Sequence, residues 1–566
     1  MSNDGLSCDV LVIGSGAGGL STAITAKKYG LNPVVIEKAD VFGGTTAFSG
    51  GVLWIPLNAH AKATGRADDR AAVKTYMKGE LGNFFDDRAV DAYLDRGPEM
   101  VDFFERETSV KFVPTLYPDY HSNREGAVQV GRAIVAAPYD ATGLGPDLKR
   151  LRPPLETISF IGMMFNSSNA DLTHFFNATR SLTSFIYVVK RLARHMIELV
   201  RYRRGVQVTS GNALAARLAK SALDLGIPIM TSTPAKELIR SEGRIVGAIV
   251  EHEGRSMRIV AKHGVVLACG GFPHDTNRMT ELYPHVARGG EHFSPTPKEN
   301  TGDGIRLGEQ AGGLSKAGYP NAAAWMPTSK VPLSNGRTGA FPHLLDRCKA
   351  GVIAINKAGK RFVNESESYH DVGAAMIATC DGERETVAWL ICDHVTIRKY
   401  GLGYAKPAPI PLGPLIRKGY LFRASTLEQL ANQISVDGAA LVRTVRDYNA
   451  TAQDGNDPQF RRGTSAFNRY LADPAHQPNP CVGPLERAPF YAVKLIMGDL
   501  GTFEGLKTDV VGRVLDHAEN VIPGLYAVGN DRASIMGGSY PGAGITLGPI
   551  MTFGYVTGRH LAGLAE

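Results

Sequence analysis

The stretch Asp9–Glu37 constrains this chain more than any other. Asp9-Val-Leu-Val-Ile13 is a short apolar run of the kind a buried parallel strand makes, and Gly14, Gly16 and Gly19 follow it as G-x-G-x-x-G. Leu20–Tyr29 reads as a helix of small residues stopped by Gly30, and Val34–Ile36 predicts a second strand. The three glycines differ in what they do. Gly14 makes the tight turn, Gly16 lets a pyrophosphate approach the backbone, and Gly19 lets helix and strand pack closely. The turn as a whole, with Ser15, Ala17 and Gly18, opens a helix whose free N–H groups and dipole favour phosphate. Glu37, with Lys38 beside it, falls about twenty residues on, where an acid receives ribose hydroxyls. An ordinary glycine-rich turn would not carry strand, turn, helix, strand and acid in this order. The stretch is a dinucleotide site.

The next residues argue for one dinucleotide. Val41–Pro56 is a long loop of small residues, among them Gly44, Thr45, Thr46, Ser49, Gly50 and Gly51. Its backbone N–H groups and hydroxyls can run along a ribityl chain and a flavin ring, which NAD lacks, so FAD is expected. Two distant stretches repeat the strand-to-glycine ending and are expected to be further cofactor walls: Gly264–Gly271, with Ala268, Gly270 and Gly271, and Gly524–Asn530, with Gly529 and Asn530.

Composition excludes several alternatives. The six cysteines are scattered, with no C-x-x-C, which argues against iron–sulfur or zinc ligation, so no metal is expected. Cys8–Ile13 runs straight into the first strand and no apolar run reaches about eighteen residues, so neither a signal peptide nor a membrane span is expected, and the expected setting is the cytoplasm. The net charge of +7 is dispersed, without the basic stripe that nucleic acid requires.

Between the cofactor stretches, Asp69–Thr108 is helical in pattern. The insertion at about 150–205 opens with the linker Leu151-Arg-Pro-Pro-Leu, continues through the apolar Ile158–Phe165, and ends in a basic amphipathic helix, Ser181–Arg204. Phe185, Ile186, Val189, Leu192, Met196, Leu199 and Val200 recur at helical spacing against Lys190, Arg191, Arg194, Arg201, Arg203 and Arg204. Such a helix is either a lid with a solvated face or a peripheral membrane contact. Asn212–Leu225 reads as a helix, Ile227–Thr231 and Ile245–Glu251 as strands, Ala350–Asn364 as strand, turn and strand, and Lys418–Asp454 as helical, including Leu427–Val436 and Ala439–Asn449.

With these motifs the sequence resembles the fumarate-reductase-like superfamily of FAD flavoproteins over nearly its whole length, and within it the 3-ketosteroid Δ1-dehydrogenase group. The resemblance implies an α/β fold: a Rossmann-type FAD-binding domain split into residues 1–275 and 500–566, with 276–499 inserted as an α+β catalytic or capping domain. It makes Thr233-Pro-Ala235 an adenine-side wall and Ile545, Thr546 and Leu547 flavin neighbours. Succinate dehydrogenases tether FAD through a histidine after the acid; Thr45-Thr46 stands there, so FAD should be bound non-covalently.

The resemblance also names the reacting groups. Fumarate reductases present a proton-donating arginine after the Arg-Phe-x-Asn-Glu turn, and here that position is Tyr369, matching the base tyrosine of ketosteroid dehydrogenases. Ser368 replaces the proline usual before it. The Tyr540 hydroxyl and the Gly544 N–H match the donors to the substrate carbonyl, with Pro541 where alanine is usual, and Tyr120 matches a tyrosine that leans over the substrate. The arginine and histidine of a dicarboxylate clamp are missing. The expected reaction is α,β-desaturation of a small apolar cyclic ketone, a 3-ketosteroid by resemblance, with a cyclohexanone-type ketone or a Δ4-type dehydrogenation fitting the same atoms. The electron acceptor, a quinone or an electron-transfer protein, is unidentified. A C=C reductase and a non-catalytic flavin-fold binding protein are the rival readings.

Overall fold

The computed structural model describes residues 5–164, 174–175, 181–316 and 318–564; Phe165, which ends the apolar stretch from Ile158, lies outside them. Strand β1 (Gly5–Ile13) is the axis of the first sheet and begins four residues before the expected Asp9. Its Val10, Leu11 and Val12 are fully buried. Both faces of the strand are covered, which is why it reads as a continuous apolar run. On one side β1 pairs with β2 (Pro33–Ile36), which pairs with β3 (Ile229–Met230). On the other side it pairs with β4 (Arg255–Leu267), which pairs with β5 (Val521–Ala527). All four pairings are parallel, in the order β5-β4-β1-β2-β3. The first half of β4 also pairs antiparallel, on its other edge, with Arg244–His252, itself paired with Ala235–Ser241. The sequence does not announce Ala235–Ser241 as a strand, because its charged residues give it no apolar run.

Helix α1 (Ala17–Lys28) starts three residues before the expected Leu20, because Gly16 is extended and serves as the N-cap. The insertion carries α2 (Leu182–Tyr202), capped by the Ser181 hydroxyl and ended by Arg203 in the left-handed conformation. Next come α3 (Ser210–Asp224) and, much later, α4 (Tyr369–Thr379) and the terminal α5 (Leu547–Leu561). Helix α5 lies against α1 at glycine distance: a Cβ on Gly554 would meet Ser21 Oγ at 2.3 Å, and one on Gly558 would meet Thr25 Cβ at 2.7 Å. The C-terminal segment is thereby fixed to the first helix of the chain.

The second sheet is antiparallel and drawn from residues 323–502. Its order is Thr338–Pro342, Ala323–Pro332, Phe490–Thr502, Val387–Cys392, Val352–Ile355, with Phe422–Ala424 also on Phe490–Thr502. Three expectations change in detail. Asp69–Thr108 is two helices, Arg70–Leu81 and Asp87–Glu107, broken at Gly82 with φ +52°. The second strand expected within Ala350–Asn364 is one bridge, Ile355 to Arg361, because the Arg361 guanidinium turns inward to Glu365 and Asp457 at 2.7 and 2.8 Å. Helix α2 is amphipathic as expected, but its apolar face points outward. Ser184, Val188, His195 and Glu198 are buried, whereas Phe185, Ile186, Val189, Met196 and Val200 are exposed. Polar contacts hold the inner face: His195 Nε2 to the Ile161 carbonyl at 2.9 Å, and the Val206 N–H to Glu198 at 3.0 Å.

Candidate cofactor and active site

An open cleft lies where β1, β2, β4 and β5 end at their C-terminal edges, the edge at which open parallel sheets bind ligands. Gly14, Ser15, Gly16, Ala17 and Gly18 line it from the first turn, Glu37 and Lys38 from the end of β2, and Gly44, Thr45 and Thr46 from the following loop. Ala235, Ala268, Gly270, Gly529 and Asn530 complete the walls named by the sequence.

The glycines divide as their positions require. Gly14 has φ +117° and a Cβ there would meet the Ala268 carbonyl oxygen at 2.1 Å; a Cβ on Gly19 would meet the Gly14 oxygen at 2.0 Å. Gly19 therefore serves packing and is not in the cavity wall. Gly16 is different: the nearest atom to a Cβ there is Thr46 Oγ1 at 3.8 Å, leaving room for a ligand against the backbone. Glu37 accepts from Ser15 Oγ at 2.5 Å and from the Ala39 N–H at 2.9 Å, which holds the carboxylate at the cavity edge. Ser49, Gly50, Gly51, Gly271 and Leu547 stand behind this wall rather than in it. Gly51 lies against Ser210, and Ser49 accepts the Gly211 N–H through its carbonyl, so this part of the loop is tied to α3.

Residues that sequence reasoning passes over also line the cavity. Arg152, assigned to a linker, is buried, bonds Glu299 at 3.2 Å, and leaves its Nε without a partner. Asn300 donates to Thr45 Oγ1 at 2.8 Å. Behind the wall, buried Asp531 accepts the Cys269 and Gly271 N–H groups at 2.5 and 3.0 Å, and burial pushes its carboxyl up to about 6. The open approach at Gly16 and the unpartnered Arg152 nitrogen fit an anionic dinucleotide such as FAD.

A smaller cavity adjoins the first, sharing Gly529, Asn530 and Ile550 with it. Ile545 and Thr546, at the start of α5, line it together with Thr502 and Phe503. Phe503 leads to three buried tyrosines, its ring 6.3 Å from that of Tyr540. Tyr369 is the first residue of α4, where Ser368 caps the helix by accepting the Asp371 N–H at 3.1 Å. Its ring lies 5.1 Å from Tyr540 and 6.0 Å from Tyr120, edge to face in both cases. The Tyr120 and Tyr540 rings stack at 5.6 Å. Burial raises all three hydroxyls, Tyr120 and Tyr369 well above the ordinary tyrosine value. Hydrogen bonds from Tyr369 and Thr546 oppose the rise at Tyr540.

Three distant segments are stitched together around this cluster. Trp54 Nε1 donates to Asp119 at 2.8 Å, and Arg132 donates to the other oxygen of Asp119 at 2.7 Å. The Tyr120 N–H and the Tyr76 hydroxyl both donate to the Pro541 carbonyl, at 2.9 and 2.6 Å. The Trp54 N–H donates to the Gly544 carbonyl at 3.1 Å. Gly544 has φ +92°, and a Cβ there would lie 2.4 Å from the Val52 oxygen. Among the described residues its own N–H donates to no protein acceptor.

A family model described as an FAD binding domain matches residues 9–547. The chain belongs to this FAD-binding family. It is similar to the 4-oxocyclohex-2-ene-1-carboxylate 5-dehydrogenase of Sinomonas cyclohexanicum, at 42% identity over 100% of this chain and 95% of that protein. A 3-oxosteroid 1-dehydrogenase of Mycolicibacterium smegmatis is 35% identical over 98% of this chain and 97% of its own. Among solved structures, the 3-ketosteroid Δ1-dehydrogenase of Sterolibacterium denitrificans in complex with 1,4-androstadiene-3,17-dione has a TM-score of 0.89 at 35% identity, covering 99% of this chain and 100% of that one. The flavoprotein resemblance therefore holds: the chain is an FAD-dependent oxidoreductase acting on CH–CH groups. Among the described residues, no helix is long and apolar enough to cross a membrane.

Proposed function

We propose that the chain desaturates a cyclic ketone between the carbons α and β to its carbonyl. The observation that carries this reading is the buried cluster of Tyr120, Tyr369 and Tyr540, with the nearby turn of Gly544, whose N–H donates to no protein acceptor among the described residues. The Tyr540 hydroxyl and the Gly544 N–H receive the carbonyl oxygen and stabilise the enolate that forms as the α-proton leaves. Tyr369 takes that proton. Burial alone makes it a poor base, so its phenolate needs a donor, and the Tyr120 hydroxyl can rotate to supply one. Bound FAD supplies the hydride acceptor for the β-hydrogen. The residues of the larger cavity hold the cofactor non-covalently, and segments 1–275 and 500–566 act together as its domain, with 276–499 as the cap.

A 3-ketosteroid is the substrate that the family resemblance supports, and a single-ring oxocyclohexane presents the same reacting atoms. The test is anaerobic bleaching of the protein-bound flavin over a panel running from cyclohexanones to 3-ketosteroids. Bleaching by a cyclic ketone and not by succinate is the expected result; bleaching by succinate alone would overturn the reading.

The outward face of α2 supports a peripheral membrane contact. Leu182, Ile197 and Val200 are 75%, 67% and 76% exposed, and Ile161 nearby is 64% exposed. Lys190, Arg191, Arg194 and Arg201 accompany them, the pattern of a helix lying in the interface of an anionic bilayer. An apolar ketone and a quinone acceptor both partition into that phase.

A further inference from the structure

One histidine outside the reaction described above links the three segments that carry the tyrosines. His121 follows Tyr120 directly, and its two ring nitrogens reach in different directions. Nε2 bonds Asp371 at 3.0 Å, in the first turn of α4, which Tyr369 opens. Nδ1 bonds Glu80 at 2.7 Å, near the end of the helix Arg70–Leu81. The Glu80 carbonyl in turn accepts the Ser539 hydroxyl at 2.9 Å, one residue before Tyr540. The His121 N–H also donates to the Tyr76 hydroxyl at 3.3 Å, whose own proton goes to the carbonyl of Pro541, just after Tyr540.

The chemistry of the ring decides what such a link requires. A carboxylate only accepts, so both nitrogens must donate at once, and only imidazolium has two ring N–H groups. Neutral imidazole turns a lone pair towards one carboxylate, and that side of the link opens. Burial resists the charge, but the bonds to Asp371 and Glu80 outweigh it and push the imidazole up to about 10. Arg124 Nε lies 3.1 Å from the other Glu80 oxygen, so two cations face Glu80 and Asp371. Glu367 also faces the group, within 4.8 Å of His121 and Asp371, and burial raises its carboxyl. Burial pushes the neighbouring His370 down to about 4. Opposite charges are thus matched within the cluster, and what it offers the tyrosines is placement.

We propose that charged His121 is a positioning residue of the tyrosine cluster, holding Tyr120, Tyr369 and Tyr540 at the spacing that proton transfer needs. The assignment rests on the ketone reading above and adds to it the group that sets the geometry. Asp371 also accepts from Ser368 Oγ, the cap of α4, at 2.6 Å, so the link acts on the turn that starts the helix of Tyr369. A misplacement of about 1 Å at reacting groups can cost about 10²-fold in rate.

The experiment compares FAD-loaded wild type, His121→Gln and Asp371→Asn, using the ketone that bleaches the wild-type flavin best. The Asp371 side chain is 33% exposed, and an amide oxygen there can still accept from Ser368, so Asp371→Asn removes one charge while sparing the helix cap. Turnover, KM, flavin spectrum and thermal unfolding are recorded as pH is raised from neutral to beyond about 10. At neutral pH each variant should lose about tenfold or more in kcat, with KM and bound FAD nearly unchanged. The ratio of wild-type to variant turnover cancels the ionisation of the tyrosines themselves. It should fall towards one as pH rises through about 10, where the wild type loses its imidazolium. Wild-type kcat in folded His121→Gln overturns the proposal, as does a loss confined to KM or a ratio that stays constant with pH. Should His121→Gln fail to fold, the same outcomes in Asp371→Asn decide. If no ketone bleaches the wild type, the ketone reading fails separately, and crystal structures of the variants then test the link alone. Displaced tyrosine rings support it, and rings left at the wild-type spacing overturn it.

Discussion

The rings of Tyr369 and Tyr540 meet edge to face with centroids 5.1 Å apart, and the proposed reaction makes one the base and the other a carbonyl donor. Tyr369 opens α4, on the segment that follows the second sheet's edge strand, whereas Tyr540 precedes α5, the helix packed against α1. Their replacements by phenylalanine should therefore fail differently. Tyr369→Phe should lower turnover by ~10²-fold or more with little change in ketone affinity, the usual worth of a general base. Tyr540→Phe should weaken ketone binding as well, because the ground-state oxygen uses the same donor. Dye-coupled kinetics with the flavin spectrum as folding control separates the two; near-normal turnover of Tyr369→Phe would move the base to Tyr120.

Two glycines of the first turn should also separate. Gly16→Ala adds a methyl where the protein leaves room, so the variant should fold, while its FAD dissociation constant rises by about tenfold or more, equivalent to about 1.4 kcal/mol. Gly19→Ala drives a methyl into the Gly14 carbonyl and should destabilise the protein with or without FAD. Fluorescence titration of FAD and thermal unfolding of both apoproteins check this. Acid precipitation of the wild type should leave the yellow colour in the supernatant.

His121 sets one pH dependence of stability. Burial resists its charging, but hydrogen bonds to Asp371 at 3.0 Å and Glu80 at 2.7 Å outweigh it and push the imidazole up to about 10. The folded value lies above the unfolded value of 6.5, so the contribution is complete below about 6.5 and fades as pH rises towards 10. Unfolding followed from pH 6 to 10 should show stability declining through that window, with a shallower decline in His121→Gln. Equal slopes would assign the decline to other groups.

The outward face of α2 predicts salt-sensitive sedimentation with anionic vesicles. Ile197→Asp combined with Val200→Asp should abolish binding while leaving the flavin spectrum unchanged, since both residues are exposed. Equal behaviour of the double variant and wild type, or no binding at low salt, would leave α2 without a lipid role.

Part of this architecture is readable in the sequence for physical reasons. Gly14, Gly16 and Glu37 stand close in the chain and act through their own backbone or charge, so spacing alone locates them. Tyr369, Tyr540 and Gly544 are legible because short motifs surround them. Arg152 and Asn300 reach the cavity from segments whose local patterns are a linker and a turn, and only the fold brings them there. The periodicity of α2 defines its two faces correctly but not which one turns inward, since His195 and Glu198 dock through individual hydrogen bonds that an apolar count does not register.

The stitching of Trp54, Asp119 and Pro541 sets a condition on biosynthesis. The first turn of the cofactor cradle leaves the ribosome early, but the partners of Trp54 and Tyr120 at Pro541 and Gly544 are made near the end of the chain. Until those last residues emerge, the carbonyl donors and the wall at Gly529 and Asn530 do not exist together. A nascent or C-terminally clipped chain can present a phosphate-binding turn, yet has no site that polarises a ketone. On the proposed mechanism, a partial translation product that stops before Pro541 would bind phosphate at its first turn without being able to desaturate a ketone.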